Sequence, residues 1–87
     1  MSVYIKYTLV VKIYGKQGVN VVDYFETCNY HKALETFDDM LTEAKYNNYG
    51  FAGMCDVVFT KTMYGSDGKI TGSDQFKVHV HGEEAEL

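Results

Sequence analysis

His79 and His81 stand two residues apart in the stretch "KVHVHGEEAEL", close to the end of an 87-residue chain. In an extended strand, positions i and i+2 share one face, so both imidazoles project together and supply half of a metal site. Zinc needs at least one or two more donors at about 2.0–2.3 Å. Glu83, Glu84, His31 or a cysteine are the donors on offer, and none stands at a spacing that marks a metal motif. The same residues also describe the outer side of a strand, with Gln75, Lys77, His79 and His81 alternating with buried Phe76, Val78 and Val80. The expectation is therefore an exposed, unliganded pair, with no metal and no cofactor. A small metal-binding protein using His79 and His81 is the alternative.

Two further stretches carry groups that could react. Cys28 precedes a helix start and His31 follows three residues on, an arrangement that lowers a thiol pKa through the helix N-terminus and an adjacent imidazolium. Nucleophilic catalysis also needs an orienting group and an oxyanion site, and "ETCNYHK" has no glycine-rich turn to build one. A small, semi-buried cysteine at a strand-to-helix junction is the expectation there. "GSDGKITGSD" places Asp67 and Asp74 among glycines but lacks the one-three-five-twelve ligand order of a calcium-binding helix-loop-helix, so it reads as a hairpin connection. No phosphate-cradling, dinucleotide-binding or nucleophile-elbow pattern occurs. The chain is read as not an enzyme.

The elements that position these groups are legible from periodicity. "VYIKYTLVVKIY" alternates, placing Val3, Ile5, Tyr7, Leu9, Val11 and Ile13 on one face and Tyr4, Lys6, Thr8, Val10, Lys12 and Tyr14 on the other. "GKQG" then turns the chain into "VNVVDYFET", giving a hairpin. Parity leaves its register open: a three-residue loop buries Val19, Val21 and Phe25, whereas a two- or four-residue loop buries Val22 and Tyr24. From the N-cap Asn29 the period changes, with Tyr30, Ala33, Leu34, Phe37, Met40, Leu41 and Ala44 at helical spacing. Asn47, Asn48 and Gly50 tolerate left-handed backbone and end the helix after about four turns. "GMCDVVFTKTMY" and "QFKVHVH" supply two more strands around the turn-rich connection. The expected fold is α+β: a four-stranded antiparallel sheet of ββαββ order with one amphipathic helix packed on one face. Residues 1–82 form the domain and 83–87 an acidic, disordered tail.

Size and charge narrow the function. A chain of this length closes one hydrophobic core. Its 46% apolar and 23% charged residues are those of an ordinary globular protein. No apolar run approaches the roughly 20 residues needed to cross a bilayer, and no leader pattern opens the chain, so a soluble, cytoplasmic protein without membrane contact is expected. Two cysteines do not make a disulfide framework. A net charge of -4, with lysines dispersed along the chain, disfavours direct nucleic-acid binding.

What remains suits binding. The outward side of the helix carries Glu35, Asp38, Asp39 and Glu43 as an acidic stripe between Lys32 and Lys45. Eight tyrosines occur without a tryptophan, and Tyr4 and Tyr14 fall on the sheet face that one helix cannot cover. Tyrosine buries large area at interfaces while losing little rotamer entropy. In its small size, acidic charge, α+β plan and lack of a catalytic motif, the chain resembles small phage-encoded inhibitors of host defence, the anti-CRISPR proteins among them. The resemblance is one of style and architecture over the whole chain. It implies a stoichiometric inhibitor that blocks a host protein, such as a nucleic-acid-binding defence complex in the host cytoplasm, by offering carboxylates where nucleic acid should lie. A non-catalytic protein-binding module, with Glu35, Asp38, Asp39, Glu43, Tyr4 and Tyr14 as its contact residues, is accordingly the leading expectation. A self-associating structural protein, a homodimer through the sheet face or an edge, is the other alternative.

Overall fold

The computed structural model describes residues 3–16 and 18–81. The expected acidic tail, 83–87, lies outside them, as do Glu83 and Glu84 as metal donors. Four strands, β1 (Tyr4–Gly15), β2 (Gly18–Thr27), β3 (Met54–Tyr64) and β4 (Ile70–His81), form one antiparallel sheet in the order β2-β1-β3-β4. A single helix, α1 (Tyr30–Lys45), connects β2 to β3. This is the ββαββ plan that the periodicity predicts. The strands are long, so the molecule extends 56 × 26 × 15 Å and its radius of gyration of 15.0 Å exceeds the roughly 12 Å usual for this length.

Local chemistry fixes the helix ends. Asn29 accepts the Lys32 backbone N–H on its side-chain oxygen at 3.0 Å, satisfying a donor that the first turn leaves free. At the other end Asn47 adopts φ 56° and Gly50 φ 74°, reversing the chain. The Asn47 side chain then accepts from the Phe51 N–H at 2.8 Å, which seats the buried Phe51 ring beneath the helix end.

The core lies between α1 and the middle of the sheet. Leu9 and Val11 of β1, Cys55 and Val57 of β3 and Ala33 of α1 have no exposed surface. Met40 and Ala44 complete the seal, and Phe25, Phe37, Leu41 and Phe59 pack around it. Tyr30 and Leu34, which carry the same helical period, are instead exposed.

The β1–β2 register differs from both parities that sequence allows. Gly15 pairs with Gly18 across a two-residue loop, and Lys12 pairs with Val21; Val11 then pairs with Asp23, so Val22 is the extra residue of a bulge. A two-residue loop without a bulge would turn Val22 and Tyr24 to the helix. With it, Phe25 and Asp23 face the helix, and Val19, Val21 and Tyr24 face away. The bulge has a visible use, because Tyr49 Oη donates to Asp23 Oδ2 at 2.8 Å and ties the loop after α1 to β2.

The final hairpin also departs from expectation. β4 begins at Ile70, so all of "ITGSD" belongs to a strand rather than to the connection. The turn needs only Gly65–Lys69: the Gly65 N–H donates to the Lys69 carbonyl and the Gly68 N–H to the Gly65 carbonyl, Gly68 takes φ 83°, and Asp67 Oδ1 accepts from the Lys69 N–H.

Candidate functional site

Helix width decides what the sheet leaves bare. A helix is about 10–12 Å across, and four strands about 4.8 Å apart make a wider platform. α1 lies chiefly across β1, β2 and β3. The helix-side face of β4 is consequently covered only in part: Val78 and Val80 are half-buried, with Val80 packed on the core, and Phe76, expected to be buried, is 60% exposed. Its ring meets Phe37 edge-on at 6.1 Å, and Phe37 meets Phe59 at 5.4 Å. Two adjoining hollows of about 270 and 260 Å3 share Tyr30, Phe59 and Phe76, the first closed by Leu34 and Phe37 and the second reaching Lys61 and Asp74. Together they make an aromatic groove beside α1.

Of the acidic stripe, Asp38 alone borders the groove. All four carboxylates are exposed. Glu35 approaches Lys32 at 3.8 Å, and Glu43 accepts from the Asn48 side-chain amide at 2.7 Å. Asp38 and Asp39 form no hydrogen bond or ion pair among the described residues. Asp38 follows Leu34 by one turn, so it borders the groove, whereas Asp39 and Glu43 are turned further round the helix.

The opposite sheet face holds Tyr4, Tyr14, Tyr24 and Tyr64. Tyr4 stacks on Tyr64, directly across the β1–β3 ladder, with ring centroids 4.6 Å apart. Tyr24 Oη donates to Glu26 at 2.5 Å, and Lys6 pairs with the same carboxylate at 3.4 Å. The Tyr24 hydrogen bond, then Lys6, holds the Glu26 carboxyl below its usual range. This face is less open at its centre than expected. Val58 and Asp56 point to it, yet they are 3% and 1% exposed because side chains of the same face lie over them.

Asp56 organises that centre. Tyr14 Oη donates to Asp56 Oδ2 at 2.6 Å, and Asp56 Oδ1 meets Nδ1 of His79, its partner across the β3–β4 ladder. Lys12 is the partner on the other side. The hydrogen bond to Asp56, with burial next, raises the Tyr14 hydroxyl above its ordinary pKa. Tyr14 is thus on the expected face, but its hydroxyl is engaged within the molecule. His79 is also not the free strand-face residue that alternation describes. Sequence reasoning missed Asp56 altogether, although its place on the outward parity of an otherwise apolar "CDVVF" was the signal.

The structure keeps the other reactive candidates apart. Cys28 is exposed at the far end of the sheet from His79, lining a cleft of about 570 Å3 with Val3, Tyr4, Tyr7, Met63 and Tyr64. No hydrogen bond joins it to His31 among the described residues. Cys55 is buried on the helix side, where burial first and the Asp56 charge second push its thiol up to about 11. Neither cysteine nor His31 reaches the His79–His81 pair, and among the described residues no three metal-ligating side chains converge. Asp67 is committed to its own turn, and Asp74 pairs across the ladder with Lys61, so the two share no calcium loop. No described helix is long and apolar enough to cross a membrane.

Compared with known proteins, the chain matches no family model, no curated protein and no solved structure.

Proposed function

We propose that the protein is a binding module whose groove between α1 and β4 takes an amphipathic helix of a partner protein. The observation that carries this reading is the apolar strip on the helix side of the sheet in which exposed Tyr30, Leu34 and Phe76 border half-buried Phe37 and Phe59. An apolar strip of this kind beside a helix is how helix-in-groove recognition supplies its energy. Asp38 on the rim, with Glu35 and Asp39 behind it, favours an occupant whose apolar stripe is flanked by lysine or arginine. The resemblance to anti-defence inhibitors gives this reading its narrower form: the occupant belongs to a host nucleic-acid-processing protein, and the carboxylates of α1 take the place of phosphates. Tyr4 and Tyr14 lie on the other face and are not needed for this contact.

Photo-crosslinking residues placed singly at Leu34 and Phe76, and at Tyr4 and Tyr24 on the opposite face, test it in the cells that make the protein. Adducts of one protein from the first pair, lost when Asp38 and Asp39 are both changed to lysine, support the groove. Adducts from Tyr4 or Tyr24 alone move the contact to the sheet. A band at twice the chain's own mass assigns the groove to a second copy, and no adduct from any site overturns the binding reading.

A further inference from the structure

The Tyr14–Asp56–His79 cluster lies on the opposite face from the groove and plays no part in that contact. Asp56 is almost fully buried, whereas the His79 side chain is 56% exposed. An ionised carboxylate only accepts hydrogen bonds. With the carboxylate ionised and Tyr14 donating to one of its oxygens, the hydrogen shared with His79 is the Nδ1–H. A neutral imidazole protonated at Nδ1 keeps its lone pair at Nε2, on the side of the ring that Asp56 leaves free. The carboxylate therefore selects a tautomer and fixes a ring. This is the arrangement by which an outer carboxylate readies a histidine for a metal.

His81 stands two positions on, on the same face of the same strand, with Met54 across the ladder from it. The ladder neighbours of His79 on this face are Lys77, His81, Asp56, Met54 and Val58, and the one hydroxyl in the cluster, that of Tyr14, is held by Asp56 itself with its pKa raised, so no nucleophile stands ready for an Asp–His pair to activate. Imidazole donors select zinc and copper over magnesium and calcium, which prefer oxygen.

We infer that His79 Nε2 and His81 bind a divalent transition ion of the imidazole-preferring class, Zn2+ or Cu2+, with Asp56 as the positioning residue and water in the remaining coordination places. Because only two ligands come from the chain, the ion is exchangeable and open to a third donor, unlike the closed four-ligand sites that hold structural zinc. Nothing in this site depends on the groove beside α1, so either can fail alone.

The test is titration of the purified, tag-free chain with ZnCl2 against a chromophoric chelator, with MgCl2 as the control ion. Nitrogen hyperfine structure in the Cu2+ electron paramagnetic resonance spectrum serves as a second readout. Binding of one ion per chain is expected, with no response to magnesium. Asp56→Asn, nearly isosteric but able to serve either tautomer, should weaken zinc by about 10–100-fold. His79→Ala and His81→Ala should each lose at least as much, and each should reduce the nitrogen coupling from that of two imidazoles to that of one at most. Zinc affinity unchanged in His81→Ala, or unchanged in folded Asp56→Asn, overturns the proposal. Should Asp56→Asn not fold, nitrogen-15 spectra of the wild-type imidazoles decide, since a His79 protonated at Nε2 without metal is equally fatal.

Discussion

Leu9 of β1 and Phe76 of β4 obey the same rule and meet different fates. Both sit on the helix-facing parity of their strands; Leu9 has no exposed surface, and Phe76 is 60% exposed. Alternation decides which way a side chain points, and the width of the covering layer decides whether anything lies above it. One helix seals the middle of a four-stranded sheet and leaves Phe76 on an outer strand mostly bare. The largest test of this contrast is a pair of truncations. Leu9→Ala should cost about 2–5 kcal/mol, because it removes transfer energy and opens a cavity between α1 and β1. Phe76→Ala, with most of its ring already in water, should cost about 1 kcal/mol in the isolated chain. Urea unfolding midpoints measure both. Equal losses would mean that β4 is covered in solution.

A second contrast lies within β3, where Cys55 and Val57 face a dry core and Asp56 is equally buried on the opposite side. Asp56→Ala removes the acceptor for Tyr14 and His79, both of which can turn to water, so a loss of about 1–3 kcal/mol is expected by thermal or urea unfolding. Cys55 and Cys28 sharpen the same division by rate. Cys28 should label within the mixing time of a thiol reagent at neutral pH, and Cys55, buried and with its thiol pushed up to about 11, only as the chain unfolds. Labelling of both at one rate would place Cys55 outside a closed core.

Alkali should loosen the molecule from several points at once. Burial, then the hydrogen bond to Asp23, pushes the Tyr49 hydroxyl well above the ordinary tyrosine range. Tyr14 and Tyr24 are raised chiefly by their bonds to Asp56 and Glu26. A group whose folded pKa lies above its unfolded one contributes stability below the unfolded value and loses it as pH rises through the folded one. Stability should therefore hold to about pH 9 and decline above about pH 10, the usual tyrosine value. Tyr49→Phe should start lower and decline less steeply. A slope unchanged by that substitution would assign the alkaline loss to other groups.

How much of this was legible follows from which interactions are local. Asn29, the 3.6-residue apolar period and the Asn47–Gly50 exit define α1 within a few neighbours, and sequence and structure agree there. The strands and their mixed-parity faces were legible for the same reason. The β1–β2 register was not, since the bulge at Val22 answers to Tyr49, 27 positions on, which draws Asp23 to the helix side. The start of β4 at Ile70 was hidden because Gly72 and Ser73 have turn-like composition, yet they pair with Met63 and Thr62 of a long β3. The Asp56–His79 contact joins residues 23 apart, which no spacing rule links. The histidines were visible from sequence, and the carboxylate that sets their chemistry was not.

The smallest effect on folding is expected where the effect on binding should be clear. Asp38 and Asp39 are exposed on α1 and bonded to nothing among the described residues, so reversing both to lysine should change stability by no more than about 0.5 kcal/mol. The same change turns the groove's rim from attractive to repulsive toward a basic-flanked helix. Rim charges act mainly on the rate of encounter and on its salt dependence. With a partner identified by crosslinking from Leu34 or Phe76, the association rate should fall in the double variant, most at low salt, while dissociation stays nearly constant. Phe76→Asp should do the reverse, speeding dissociation with little effect on encounter, because it removes apolar contact from the floor. If the two variants alter the same rate constant, the rim and the floor of the groove are not separate parts of one site, and the partner docks elsewhere.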